Sequence, residues 1–263
     1  MSRFKGYNSF YEASDSTADF VQRGGFWSLD DQLSLKSIGV WPNNESISGD
    51  SLKFFLDARR YSGGNTWEDV SGNNNHFSFN STPSYTLGSH PYFSSTQLAY
   101  GPASNSLGIT TETGYTVQIL CNVASTTQSG AFRFYNGTDS GGRAIFAHLT
   151  WSDGTVYFDQ AGDGTNYQRV YVASGGANSW NLWTFRASTS ARDIIKNTST
   201  LITDSSASNT LSFNSTPITL FGDDVYAASA WTGSVSAFIA YNRTLSDTEV
   251  ESNYNSLKSL YGF

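Results

Sequence analysis

The chain has 263 residues, is 15% aromatic and only 14% charged, and carries a formal net charge of −7. That balance excludes the clustered Lys and Arg that grip nucleic acid or an anionic membrane, and no run of about 18 apolar residues is present to span a bilayer. The single cysteine, Cys121, rules out an intrachain disulfide and fits folding in a reducing compartment.

Polarity comes instead from Ser, Thr, Asn and Gly. These residues compete with helical hydrogen bonds and favour strands joined by tight turns. A single all-β domain of this length is ordinary. The opening stretch MSRFKGYNSFYEASD has no apolar signal core. Six Asn-x-Ser/Thr sequons, at Asn44, Asn80, Asn136, Asn197, Asn214 and Asn242, are what chance gives a chain of this composition.

Residues 1–50 differ from the rest. They start polar and aromatic, then read GFWSLDDQLSLKSIGVWP. Ser28 can cap a short helix with Asp30 and Asp31 in its first turn, Gly39 can end it, and Pro42 marks the exit. Leu29, Leu33 and Ile38 would line its apolar side. The part before Phe26 is too poor in apolar residues to fold alone. The segment therefore reads either as an arm that needs a partner surface, anchored by Phe26, Trp27, Leu29, Leu33 and Trp41, or as an unstructured tail.

From residue 51 onward the pattern is strand after strand. LKFFLD is followed by RRYSGGNTWEDVSGNNNHF, in which Gly63-Gly64 turns the chain and Trp67 plugs the rim of the core. Gly72 and the asparagines then take left-handed positions before a strand resumes at His76–Phe79. In YTVQILCNV, Tyr115, Val117, Ile119, Cys121 and Val123 alternate onto one face. Further runs are AFRFY, RAIFAHLTW, TVYFD, YQRVYV, WNLWTFRA, RDIIK, PITLFG and SVSAFIAY, separated by turns such as Asp153-Gly154, Asp163-Gly164 and Asn136-Gly137. Ten or more strands at short intervals predict a two-sheet sandwich or a barrel. The hexapeptide SFNSTP, at 78–83 and 212–217, reads twice as a turn into a strand, with the Pro at the start where its missing N–H costs least.

The chain closes on RTLSDTEVESNYNSLKSLYGF. Ser246 and Glu249 form a capping box, with Leu245 and Val250 as a hydrophobic staple. Val250, Tyr254, Leu257 and Tyr261 recur at helical spacing, and Gly262 ends the run. This predicts one amphipathic helix that packs Val250, Tyr254 and Leu257 on the sandwich and leaves Glu251, Asn255 and Lys258 toward solvent.

Catalytic patterns are missing. There is no G-x-S-x-G, no phosphate-binding glycine loop and no H-x-x-x-H pair among His76, His90 and His148. Cys121 lies mid-strand, where a buried thiol is inert. Glycoside hydrolysis needs two carboxylates flanking the bond, about 5 Å apart for retention or about 6.5–9.5 Å for inversion. Glu68 and Asp69 are adjacent and would face opposite ways in a strand. The expectation is therefore no enzyme, no catalytic residues and no cofactor. Calcium is the one ion the loops could suit, through Asp69, Asn73 and Asn75 or through Asp159 and Asp163. Asn and Asp are also ordinary turn residues.

Sugar binding would use exposed aromatic faces beside Asp or Asn acceptors. TWSDGTVYFDQAGDGTNYQR offers Trp151, Asp153, Tyr157, Asp159, Asp163 and Tyr167 in that mixture. The competing reading is that these aromatics fill the core.

Three stretches carry a family likeness over residues 50–263. GSVSAFIAYNRTLSDTEVESNY resembles the closing strand and helix of concanavalin A-like, laminin G-type jelly rolls. FLDARRYSGGNTWEDVSGNNNHF resembles their opening strand and loop, in versions carried by bacteriophage and large-virus particles. SWNLWTFRAS and RDIIKNTSTLI sit where the family has its central Trp-bearing strand and a following hairpin. GFWSLDDQLSLKSIGVWP is similar to a segment of phage structural proteins, particularly those of phages infecting cyanobacteria. The resemblance implies an all-β, two-sheet antiparallel jelly-roll sandwich at 51–263 behind an anchoring or oligomerisation arm at 1–50. It implies a virion protein without enzymatic activity, made in the host cytoplasm and displayed on the particle as a capsid decoration, fibre or tail fibre. Its partners would be other virion proteins, copies of itself and a host-surface glycan, with no nucleic acid and no membrane insertion. The alternative is a lectin or glycosidase acting on cell-surface glycans. The fold hosts all of these.

Overall fold

The computed structural model describes residues 47–95, 97–126, 130–136, 143–160, 168–173, 178–222 and 231–263, without the side chain of Arg143. The expected arm residues Phe26, Trp27, Leu29, Leu33 and Trp41 lie outside the described residues.

Within them the chain folds as β1 (Leu52–Asp57), β2 (Thr66–Trp67), β3 (Phe77–Phe79), β4 (Tyr85–Thr86), β5 (Tyr92–Ser94), β6 (Ala99–Ala103), β7 (Tyr115–Val123), β8 (Phe132–Tyr135), β9 (Arg143–His148) and β10 (Thr155–Gln160). It continues through β11 (Gln168–Ala173), β12 (Trp180–Ala187), β13 (Arg192–Lys196), β14 (Ser199–Asp204), β15 (Pro217–Leu220), β16 (Gly233–Tyr241) and the helix α1 (Asp247–Tyr261). The strands form two antiparallel eight-stranded sheets. The first runs β14-β13-β12-β7-β16-β5-β4, with β1 also paired to β16, and the second runs β11-β10-β9-β8-β15-β6-β3-β2. The expected all-β sandwich is the fold observed.

The alternation read in β7 is real. Val117, Ile119, Cys121 and Val123 enter the core between the sheets with Phe54, Phe132, Phe158, Trp183, Phe185 and Phe238. Tilted and edge-on ring pairs knit this core, including Phe54–Phe77 at 5.2 Å and Phe132–Phe238 at 5.4 Å. Such pairs add about 0.5–1.5 kcal/mol beyond the area they bury. Burial pushes the Cys121 thiol far above its usual range, which keeps it in the inert protonated form.

The loop after β1 is a brace. Gly63 and Gly64 take φ of +105° and +81°, which a side chain would resist, and Trp67 is fully buried. Asp69 accepts from Phe55 N at 2.9 Å, Ser71 N at 2.8 Å, Ser71 Oγ at 2.8 Å and Asn75 N at 3.0 Å. Asn73 and Asn75 donate to the carbonyls of β1. The calcium expectation for Asp69, Asn73 and Asn75 is therefore corrected: four donors already occupy the carboxylate, and the two amides turn their N–H groups toward β1. At the opposite side of the sandwich, buried Arg192 donates to Asp204, Ser206 and Gln168. That clasp links the edge strands β14 and β11 of the two sheets.

Several short or half-exposed strands were not legible. β2, β4 and β5 are too brief to show a period, Gly101 and Pro102 interrupt β6, and RAIFAHLTW ends as a strand at His148 rather than Trp151. The two SFNSTP copies also diverge. Pro217 opens β15 as expected, but in the first copy Ser78 and Phe79 finish β3 and Pro83 stands apart from β4.

The closing helix has both capping-box hydrogen bonds between Ser246 and Glu249, and Gly262 closes it at φ +68°. Leu245, Val250, Leu257 and Tyr261 pack with Leu120, Leu182, Ile239 and Tyr241 in a second apolar cluster on the outer face of the first sheet. Tyr254 is only half-buried, while Asn253, which the apolar period passes over, is fully buried. The reason is polar. Asn253 Nδ2 donates to Gln118 Oε1 at 2.7 Å and to Tyr241 Oη at 2.9 Å, and Gln118 Nε2 donates to Thr184 Oγ1. Ile47 joins the same cluster, and Ser48 N donates to Asn253 Oδ1.

Two outcomes follow from this docking. Leu257→Ala removes a fully buried side chain, at about 2–5 kcal/mol, and should lower Tm by about 5–15 °C in a chain of this size. Lys258→Ala, at an exposed position, should shift it by no more than a degree or two; equal effects would make the helix an appendage. The second outcome concerns Glu249, whose carboxylate Arg243 grips at 2.5 and 2.9 Å. That contact holds its pKa down from 4.5 to about 2. A depressed carboxylate stabilises above its unfolded pKa and loses that contribution as pH falls from about 4.5 toward 2. Glu249 is half-exposed, so the contribution is at most about 1 kcal/mol. Acid titration of Tm should show a steeper fall over this window in the parent chain than in Glu249→Gln.

Candidate functional site

The second sheet has one face in the core and one outside it. In β8 to β11 the inward set is Phe132, Phe134, Ile145, Ala147, Val156, Phe158 and Val170. The outward set belongs to neither apolar cluster, and register places it in rows. His148, Tyr157 and Tyr171 are direct cross-strand neighbours on β9, β10 and β11. The next row runs Arg133, Phe146, Asp159 and Arg169 across β8 to β11.

The first row makes an aromatic ledge. Tyr157 and Tyr171 lie 5.8 Å apart, and Tyr171 is 60% exposed. Trp151 comes from the turn between β9 and β10, closed by Gly154 N donating to Trp151 O. Its indole meets Tyr157 edge-on at 6.3 Å and His148 at 4.5 Å. Upstream of that turn, Trp231 Nε1 donates to Leu149 O, tying the start of β16 to the segment that carries Trp151.

Asp153 is exposed at the tip of this turn. Its carboxylate accepts from Thr155 N at 2.8 Å and from Tyr157 Oη at 3.0 Å. The Thr155 N–H leads the contacts that hold its pKa below the usual carboxylate value, so Asp153 is an anion at neutral pH. Burial, aided by Asp153, raises the Tyr157 hydroxyl, which stays protonated. Ledge and carboxylate together offer apolar ring faces beside a strong hydrogen-bond acceptor.

Asp159 takes a different part from the one expected. It is fully buried and bound by Arg169 in a fork, Nε–Oδ1 2.6 Å and Nη2–Oδ2 2.7 Å, with His148 Nε2 at 3.9 Å. A carboxylate so enclosed holds the sheet face together rather than meeting a ligand at the surface, so its role as a sugar acceptor is corrected. Arg169 also lies over the Tyr157 ring at 4.7 Å and so ties the ledge to the ion pair. Asp163 and Tyr167, the other two expected sugar ligands, lie outside the described residues, and with Asp163 goes the second calcium loop. Among the described residues no three His, Cys, Asp or Glu side chains gather as a metal site.

The structure therefore brings Trp151, Asp153 and Tyr157 together on an outer face, not in the core. It adds His148, Arg169 and Tyr171, which sequence reasoning passed over. The signal for them was present: in QRVYVA, Val170 and Val172 alternate with Arg169 and Tyr171. Placing Tyr171 opposite Tyr157 needed the pairing register, which the sequence of one strand does not contain.

No protein-family model matches this chain, and no curated protein matches it by sequence. Solved structures do match. One is a sialidase from Trypanosoma rangeli, with TM-score 0.62 and 10% identity over 82% of this chain and 34% of that one. The binding domain of a paraclostridial mosquitocidal protein matches with TM-score 0.62 and 17% identity over 80% and 53%. The ligand-binding domain of botulinum neurotoxin serotype D, solved with N-acetylneuraminic acid, matches with TM-score 0.62 and 12% identity over 81% and 52%. At these identities the likeness is one of fold. The chain spans about a third of the sialidase and about half of each toxin structure.

Proposed function

We propose that this chain is a non-enzymatic glycan-recognition protein of a phage particle, displayed by its N-terminal arm and reading host-surface sugar with the outer face of its second sheet. The observation that carries the recognition part is the ledge of Trp151, Tyr157 and Tyr171 beside Asp153. A sugar ring lays its C–H face on such rings, while its hydroxyls donate to a carboxylate. The fold likeness to toxin binding domains, one of them solved with a sialic acid, supports the same reading. The virion part is supported by the resemblance of residues 25–42 and 55–77 to phage structural proteins. The non-enzymatic part is supported by the separation of roles on the ledge face. Asp153 is exposed and Asp159 is locked in an ion pair, whereas glycoside hydrolysis needs two working carboxylates.

The full chain on an array of neutral and sialylated glycans should bind a subset. Trp151→Ala and Tyr171→Ala should each weaken that binding about tenfold or more, as loss of an aromatic anchor does, with Tm little changed for exposed Tyr171. Silence across the array would contradict the recognition reading, and steady release of reducing sugar would contradict the non-enzymatic one. For display, Trp27→Ala with Trp41→Ala in the full chain should reduce incorporation into particles at unchanged Tm. Undiminished incorporation would remove the arm from the account.

A further inference from the structure

The outer face of the first sheet is only partly covered by α1. Beyond the helix, one rung crosses four adjacent strands as Trp180, Asn122, Ser234 and Ser94, on β12, β7, β16 and β5. All four are half-exposed. Strands lie about 4.8 Å apart, so β12 and β5 are separated by about 14 Å. Yet the rings of Trp180 and Tyr92 approach to 5.6 Å, and His90 stacks on Trp180 at 4.0 Å with a tilt of 34°. The two outer side chains must therefore lean inward over β7 and β16. His90 is held against Trp180 by its hydrogen bond to Ser236 Oγ at 3.0 Å, and its ring also meets Tyr261 at 5.1 Å and Phe263 at 6.3 Å, at the C-terminal end of α1. The three rings make an aromatic tile backed by the sheet.

Beside the tile stands an amide with an unmet need. Asn122 Oδ1 is shut off from solvent and has no hydrogen-bond partner among the described residues. An acceptor in that condition has given up its water without a replacement, which is unfavourable. Asn122 as a whole is half-exposed, and a half-turn of the amide exchanges its oxygen and nitrogen, which brings the acceptor to the accessible side, where a hydroxyl can reach it. Ser234 and Ser94 continue the same rung with hydroxyls. None of the side chains of the rung or tile carries a charge at neutral pH: burial leads the effects that lower the pKa of His90, which stays neutral.

We infer that Trp180, His90, Tyr92, Asn122, Ser234 and Ser94 form a second binding site, for a short neutral oligosaccharide, on the sheet opposite the ledge. Stacked rings beside uncharged donors and acceptors complement a sugar's C–H face and hydroxyl edge. An ionic ligand would find no counter-charge in these side chains. The rung's span of about 14 Å suits a few sugar rings. The site stands on different residues from the ledge and does not depend on it.

The test is a titration of the ¹⁵N-labelled full chain with cellotriose, maltotriose, mannotriose and chitotriose at tens of millimolar, following the Trp180 indole N–H. At least one trisaccharide should shift that resonance saturably. Asn122→Ala should weaken the response about tenfold while leaving Tm unchanged or slightly raised, because the oxygen it removes is unpaired in the free protein. Trp151→Ala should leave the Trp180 response intact, which separates this site from the ledge. An indole resonance unmoved by all of these sugars overturns the inference. So does a response equal in Asn122→Ala, or one abolished by Trp151→Ala.

Discussion

The pairing of β16 with β7 is the constraint on which the rest depends. Register runs from Gly233 opposite Val123 to Tyr241 opposite Thr116, with one irregularity between Val235 and Ala237. β12 extends the other side of β7 along its full length, while β1 and β5 share the free side of β16. The first sheet is therefore built outward from two strands far apart in sequence, and both of their faces are used. A slip of one residue would move Val117, Ile119 and Phe238 out of the core and bring Gln118 and Thr116 into it.

Each sheet then handles its outer face differently. The first hides part of it under α1, whose apolar stripe would be unstable alone. Gln118, Thr184, Asn253 and Tyr241 satisfy one another there, so the helix has a polar index mark as well as an apolar footing. The second sheet covers its outer face with no described helix. Its polar row is held by the Asp159–Arg169 fork, and in the aromatic row beside it Tyr171 is exposed and Tyr157 half-exposed. A buried ion pair is weak as a source of stability, because removing two charges from water costs much of what their attraction returns. Here the fork fixes Arg169, and through it the Tyr157 ring, in the geometry on which the proposed recognition rests.

What the sequence showed and what it hid divide along physical lines. The closing helix was legible to the residue at both ends, because capping is a local interaction written in Ser246, Glu249 and Gly262. The strand β1 and its brace were legible because glycines and asparagines mark turns by their own backbone limits. Long strands such as β7 and β12 showed their periods. The short strands β4 to β6 did not: β4 and β5 have only two and three residues, and in β6 Gly101 and Pro102 break the pattern. The site was half legible. Trp151, Asp153 and Tyr157 lie within one hairpin, so their proximity is local. The enclosure of Asp159 by Arg169, the company of Tyr171 and the burial of Asn253 all depend on cross-strand register or on helix docking, which are properties of the assembled sheets.

Native-state hydrogen exchange on the full chain tests the central dependence most directly. The account predicts that amides of β7 from Gln118 to Cys121, of β16 from Ala237 to Ala240 and of the middle of α1 share the highest opening free energy and respond together to denaturant, as one cooperative unit. Exchange of α1 at a much lower free energy than β7 and β16, with its own denaturant dependence, would contradict it.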